Sequence, residues 1–170
     1  MKPLSFLLAA TLFFSPIAHR QAGAESLGEK VGAIGADWII GTWVDAPTAG
    51  LGFKVTYEWR LDKHAIALKA VAGDRQSEGL IAVNPRNGDV GIMVVDNRGG
   101  GAMGKVTAED GKIILTVKYS DGEGNDGKVA LVHEKKADSK VLVTIYSLND
   151  SGGLGEKRDS IELTKQAPVK

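Results

Sequence analysis

Three stretches of the chain carry residue types at spacings that chemistry uses. The first is Gly99-Gly100-Gly101-Ala102-Met103-Gly104-Lys105, which has the glycine spacing of a dinucleotide-binding turn and nearly that of a phosphate loop. Both chemistries need a helix to follow at once, because its first N–H groups meet the phosphate. Val106-Thr107-Ala108 and a turn follow instead, and Val106 stands where a phosphate loop needs a hydroxyl for magnesium. The stretch reads as a flexible hairpin. The second is Asp121, Glu123, Asn125 and Asp126, an oxygen-rich loop. A calcium loop begun at Asp121 wants Gly at its sixth position and Glu at its twelfth. Asp126 and Val132 occupy those places, so the reading is an acidic, solvated hairpin tip.

The third is His133. It shares strand parity with Val129 and Leu131, so alternation turns it toward the same face as those apolar residues. There it is a candidate to ligate haem iron, to anchor a polar group of a ligand, or to sit as a hydrogen-bonded core residue. His64 lies beside Lys63 in a turn and reads as exposed. Asp45, Glu58, Glu78 and Asp96 single out no carboxylate pair. No Ser-His-Asp arrangement and no zinc spacing occurs. With no cysteine, disulfides, thiolate metal sites and Cys nucleophiles are excluded. The sequence thus calls for no metal and no cofactor. One further candidate is the aromatic row Phe53, Tyr57 and Trp59, with Val55 between them, which either lines a pocket or fills a core.

These residues need a scaffold. The 170-residue chain opens with Lys2, an apolar run from Leu4 to Phe14, and the small-x-small Ala22-Gly23-Ala24. Residues 1–24 therefore read as a secretory signal peptide, with Glu25 as the mature N-terminus. The apolar run is too short to span a bilayer, so no membrane span is expected. The expected location is outside the cytoplasm, periplasmic or extracellular. Without Lys2 and Arg20 the chain carries 19 basic and 21 acidic residues. No basic cluster exceeds two or three residues, which argues against a nucleic-acid partner. The remaining length suits one domain that buries about 70% of its unfolded surface.

Ser26-Leu27-Gly28-Glu29 fits a capping box, and Leu27, Val31, Ile34 and Trp38 follow at helical period. The spacing predicts a capping helix within 25–38. From Ile39 the period becomes two. Phe53, Val55, Tyr57, Trp59 and Leu61 alternate with Lys54, Thr56, Glu58 and Arg60. Turn signals then recur about every ten residues. The spacing predicts strands at 39–45, 53–61, 65–72, 77–84, 89–96, 102–108, 112–119, 127–135, 140–148 and 157–165. The fold class is all-β: an up-and-down antiparallel β-barrel of about ten strands with a short N-terminal helix, filling 39–170. Closure removes the exposed edges of such a meander. Strands 65–72, 77–84 and 89–96 are apolar on both parities, so their outer face needs a cover. The N-terminal helix and a second subunit, which would make a homo-oligomer, are the two candidates.

Gly41-Thr42-Trp43, following a short helix and opening the first strand, resembles the Gly-x-Trp signature of lipocalins and the wider calycin group. Tyr57-Glu58-Trp59-Arg60-Leu61 and Ser77-Glu78-Gly79-Leu80-Ile81 also look like secreted bacterial lipocalin-like domains. The resemblance implies that Trp43 packs across the closed end of the barrel, under a basic residue late in the chain, for which Arg158 is the match. It also implies a binder of small, mostly apolar molecules.

Three functions are compatible with these observations. The first is an exported protein that binds a small apolar or amphipathic ligand through Phe53, Val55, Tyr57, Trp59 and His133. The second is a protein–protein interaction module with a filled barrel. The third is an enzyme, for which the sequence supplies no catalytic set.

Overall fold

A computed structural model describes residues 25–48 and 50–167. The expected signal peptide lies outside the described residues. The chain forms helix α1 (Leu27–Ala33), a 3-10 turn (Asp37–Ile39) and ten strands. These are β1 (Gly41–Asp45), β2 (Lys54–Arg60), β3 (Ala65–Ala72), β4 (Arg75–Val83), β5 (Val90–Asp96), β6 (Gly101–Glu109), β7 (Lys112–Ser120), β8 (Asp126–Ala137), β9 (Lys140–Leu148) and β10 (Leu154–Lys165). Every consecutive pair is antiparallel, and β10 closes onto β1. The all-β, ten-strand up-and-down barrel read from the sequence is thus what the chain builds. No helix among the described residues is long and apolar enough to cross a membrane.

Helix α1 starts as its sequence directs. The Ser26 hydroxyl accepts from Glu29 N–H at 3.2 Å, and the Glu29 carboxylate accepts from Ser26 N–H at 2.7 Å. It ends sooner than the apolar spacing predicts. Gly35 adopts φ +62°, Gly35 N–H donates to Gly32 O, and Ala36 N–H donates to Val31 O. This is a Schellman close, with the buried Ala36 and Val31 supplying its apolar contact. Ile34 is left 52% exposed, so only Leu27 and Val31 of the helical stripe are buried within α1.

The first strand also begins later than expected. Ile39 belongs to the 3-10 turn, and Gly41 at φ +123° makes the corner into β1. That backbone conformation is what requires glycine here, since the atom nearest to an added Cβ, Lys165 Cε at 2.9 Å, is the end of a flexible side chain.

Alternation in β2 turns Val55, Tyr57 and Trp59 inward. Register then carries the inward face around the barrel through Ile66 and Leu68, Ile81, Ile92, Val117 and Leu115, Val143, and Leu163. These residues form one core cluster with Leu27, Val31, Ile39 and Trp43. Helix α1 therefore plugs one end of the barrel and does not lie over β3–β5. Gly28 brings its backbone against the β2–β3 turn, where Gly28 N–H donates to Lys63 O at 2.9 Å. A Cβ at Gly28 would meet Lys63 Cβ at 2.8 Å, so the close approach depends on the missing side chain. The outer face of β4–β6 stays uncovered, with Leu80, Met93, Val95 and Met103 exposed.

Candidate functional site

The helix end of the barrel holds an apolar cavity of about 360 Å³. Ligand sites commonly occupy about 300–1,000 Å³. Helix α1 supplies Leu27 and Val31, and its C-cap residue Ile34 joins them, as one wall. The inward faces of β3–β7 supply Ile66, Ile81, Val90, Val106, Ile113 and Leu115 as the other. Lys30 and Glu25, joined at 2.9 Å, also line it, as do the exposed Thr107 and Ala108 of the β6–β7 hairpin.

Two buried polar side chains interrupt the apolar wall. Tyr57 reaches across from β2 and His133 from β8. Their polar atoms meet at 3.3 Å between Tyr57 Oη and His133 Nε2, with the rings 80° apart. Both residues are buried, at 5% and 4% exposure. Burial pushes the Tyr57 phenol well above its usual range. Burial likewise lowers His133 from 6.5 to about 4, against a weaker opposing effect of the Leu131 and Ile113 backbone. The imidazole is thus neutral at pH 7. Its Nδ1 is buried and bonds to nothing among the described residues. Buried polar atoms without partners are few in folded proteins, and each calls for an explanation. If the Tyr57 hydroxyl donates to Nε2, Nδ1 carries the proton and is a donor without an acceptor. In the other tautomer, Nδ1 is an acceptor without a donor.

The residues singled out from the sequence divide by depth. Tyr57 and His133 come together at the cavity. Val55 is buried one step further along the barrel, outside the cavity lining. Phe53 lies at the opposite end, where its N–H donates to Asp45 at 3.0 Å. Trp59 is half-buried under Lys63, whose Nζ is 5.9 Å from the ring. Strand parity gave the face of all five side chains but not their height along the axis.

Trp43 is 1% exposed and donates from Nε1 to Ile39 O at 2.7 Å. Trp38 packs edge-on against it at 6.2 Å. The cation over its ring is Lys165, with Nζ at 5.2 Å from the ring centroid and 3.1 Å from Trp38 O. Arg158 is exposed, in the bulged part of β10 where register with β9 shifts. Lys165 was missed, although its parity with Ile161 and Leu163 is visible in the sequence.

The other motifs resolve into structure. Strand β6, not a helix, follows Gly99 and Gly100 and begins at Gly101 itself. The Asp121 carboxylate accepts from Asn125 N–H and Asn125 Nδ2, both at 2.8 Å, and so folds its own loop. Among the described residues, no three His, Asp or Glu side chains come together to hold a metal ion. His64 is exposed in the β2–β3 turn. Compared with known proteins, the chain matches no family model and no curated sequence.

Proposed function

We propose that the protein is an exported, lipocalin-like carrier that binds a small apolar molecule in the cavity between helix α1 and the barrel end. The observation that carries this reading is the buried Tyr57–His133 pair, half-satisfied in the wall of an otherwise apolar space. An apolar cavity alone can stay dry and empty, so its presence does not by itself point to a ligand. A buried polar atom without a partner costs about 1–3 kcal/mol, which a ligand's polar group would recover. The bound molecule would be apolar over most of its surface, with one uncharged hydroxyl or carbonyl directed at the pair. The neutral imidazole and phenol offer no charge to balance a buried carboxylate, and Lys30, the cation in the cavity lining, is already paired with Glu25.

Titration with the neutral probe N-phenyl-1-naphthylamine tests the reading. One molecule should bind per barrel, and Val106→Phe, which narrows the cavity, should weaken binding while the fold persists. Equal binding to the narrowed variant, or binding only after partial unfolding in urea, would reject it.

A further inference from the structure

The outer wall of β4–β8 presents a second surface, independent of the cavity. One cross-strand row runs Leu80, Met93, Met103, Lys118, Lys128, each residue in register with the next. Strands lie about 4.8 Å apart, so the row spans about 19 Å. Leu80, Met93 and Met103 are 43%, 55% and 60% exposed, and Val95 beside them is 57% exposed. Outward Gly91 and Gly101 flank the methionines, which leaves those side chains standing above the wall. A groove of about 840 Å³ runs along them, with Lys105, Lys118 and Lys128 among its lining.

The charges separate one occupant from another. Lys105 is paired with Asp89 at 3.0 Å, and Glu78 with Lys69 at 3.1 Å. Lys118 and Lys128 stand directly opposite each other and form no ion pair among the described residues. Asp126, two residues before Lys128 on the same face, reaches neither. Like charges directly opposed across strands are destabilising. Beside the methionines, a second copy of this wall would set two unpaired ammonium groups against a single unpaired carboxylate, Asp126, and so would bring more like charge than complementary charge. An anionic lipid surface instead offers phosphates to two adjacent ammonium groups and an apolar layer to the methionines and leucine beside them. Long lysine stems suit this arrangement, because they lie along apolar surface while the charge stays at headgroup level. Methionines adapt to an irregular apolar contact. We propose that the outer wall of β4–β8 docks the barrel onto an anionic lipid membrane surface, with Leu80, Met93, Val95 and Met103 entering the interface and Lys118 and Lys128 meeting headgroup phosphates.

Cosedimentation with vesicles tests this. The chain from Glu25 onward, whose described residues close into a complete barrel, keeps the apolar leader out of the assay. It should bind mixed phosphatidylglycerol–phosphatidylcholine vesicles and not vesicles of phosphatidylcholine alone. A lysine near an anionic surface contributes about fivefold in affinity, so Lys118→Gln with Lys128→Gln should weaken binding about 25-fold. Met93→Glu with Met103→Glu should abolish it. All four side chains are exposed, so circular dichroism should show an unchanged fold. Equal binding to neutral vesicles, or no binding to either kind, would overturn the proposal. So would a concentration-dependent dimer that Met93→Glu with Met103→Glu disperses, because that result assigns the wall to a second copy.

Discussion

At the loop end of the barrel, buried carboxylates are surrounded by donors. Asp45 accepts from Gly50 N–H at 3.1 Å, from Phe53 N–H at 3.0 Å and from the Thr48 hydroxyl. Asp96 accepts from Arg98 N–H and Gly100 N–H, both at 2.9 Å, and from Arg75. These bonds hold both carboxyls below their usual range, the Thr48 hydroxyl acting most on Asp45 and the Arg75 guanidinium most on Asp96. At the helix end, Tyr57 and His133 share one hydrogen bond between their side chains, and the other ring nitrogen is left without one. Both ends bury polar groups, yet only one leaves such a group unsatisfied. A carboxylate whose acceptor sites are filled by its own loop is a clasp. A buried imidazole with one ring nitrogen unbonded beside a cavity leaves a hydrogen-bonding position open.

The largest test of this contrast concerns what does hold the helix end together. If apolar anchoring does it, Trp43→Ala should cost about 3–5 kcal/mol in urea unfolding. A loss under about 1 kcal/mol would show that the helix end does not depend on the buried indole. Acid titration should then separate the two ends. His133 binds a proton near 6.5 when unfolded and near 4 when folded, so the unfolded state holds more protons between those values. Stability should therefore fall by about 3 kcal/mol as the pH drops from about 7 to 4, and level off below. The carboxylates of Asp45 and Asp96 have lowered folded values, so their contribution is lost only below the ordinary 3.8. A single acid transition confined to pH below 4 would erase the distinction. The smallest effect belongs to Tyr57→Phe with His133→Leu. Removing both partners together leaves nothing unsatisfied, so stability at pH 7 should change by under about 1 kcal/mol. The loss between pH 7 and 4 should disappear with them. A severe destabilisation at pH 7 would make the pair structural.

Much of the scaffold was legible because it rests on local rules. The capping box at Ser26 and Glu29, the turns, and the alternation through Val55, Tyr57 and Trp59 depend on neighbours in sequence. What was not legible depends on height and on breaks in period. Parity placed Phe53 and Tyr57 on one face, but only the assembled barrel shows them near opposite ends. The bulge between Lys157 and Asp159 interrupts parity counting, so Arg158 could not be carried through to Trp43, whereas Lys165 lies on the regular side of it. Gly35 was available as a stop signal, yet the apolar spacing through Ile34 and Trp38 outweighed it. The partner of His133 required pairing across 76 positions, which no local pattern encodes.

The closure of β1 onto β10 has a kinetic consequence. Trp43 pairs with Val55 on one side, only 12 positions away, and with Lys165 on the other, 122 positions away. Nine of the ten seams can zip as neighbouring hairpins while the chain emerges. The tenth must wait for the last strand, and its tenfold longer loop adds about 2 kcal/mol of closure entropy. Until then the protein is an open sheet with two bare edges, each able to capture a strand from another molecule. Lys165 joins that seam and at the same time locks over Trp43. The event that ends the exposed stage of folding is therefore the one that seals the helix end.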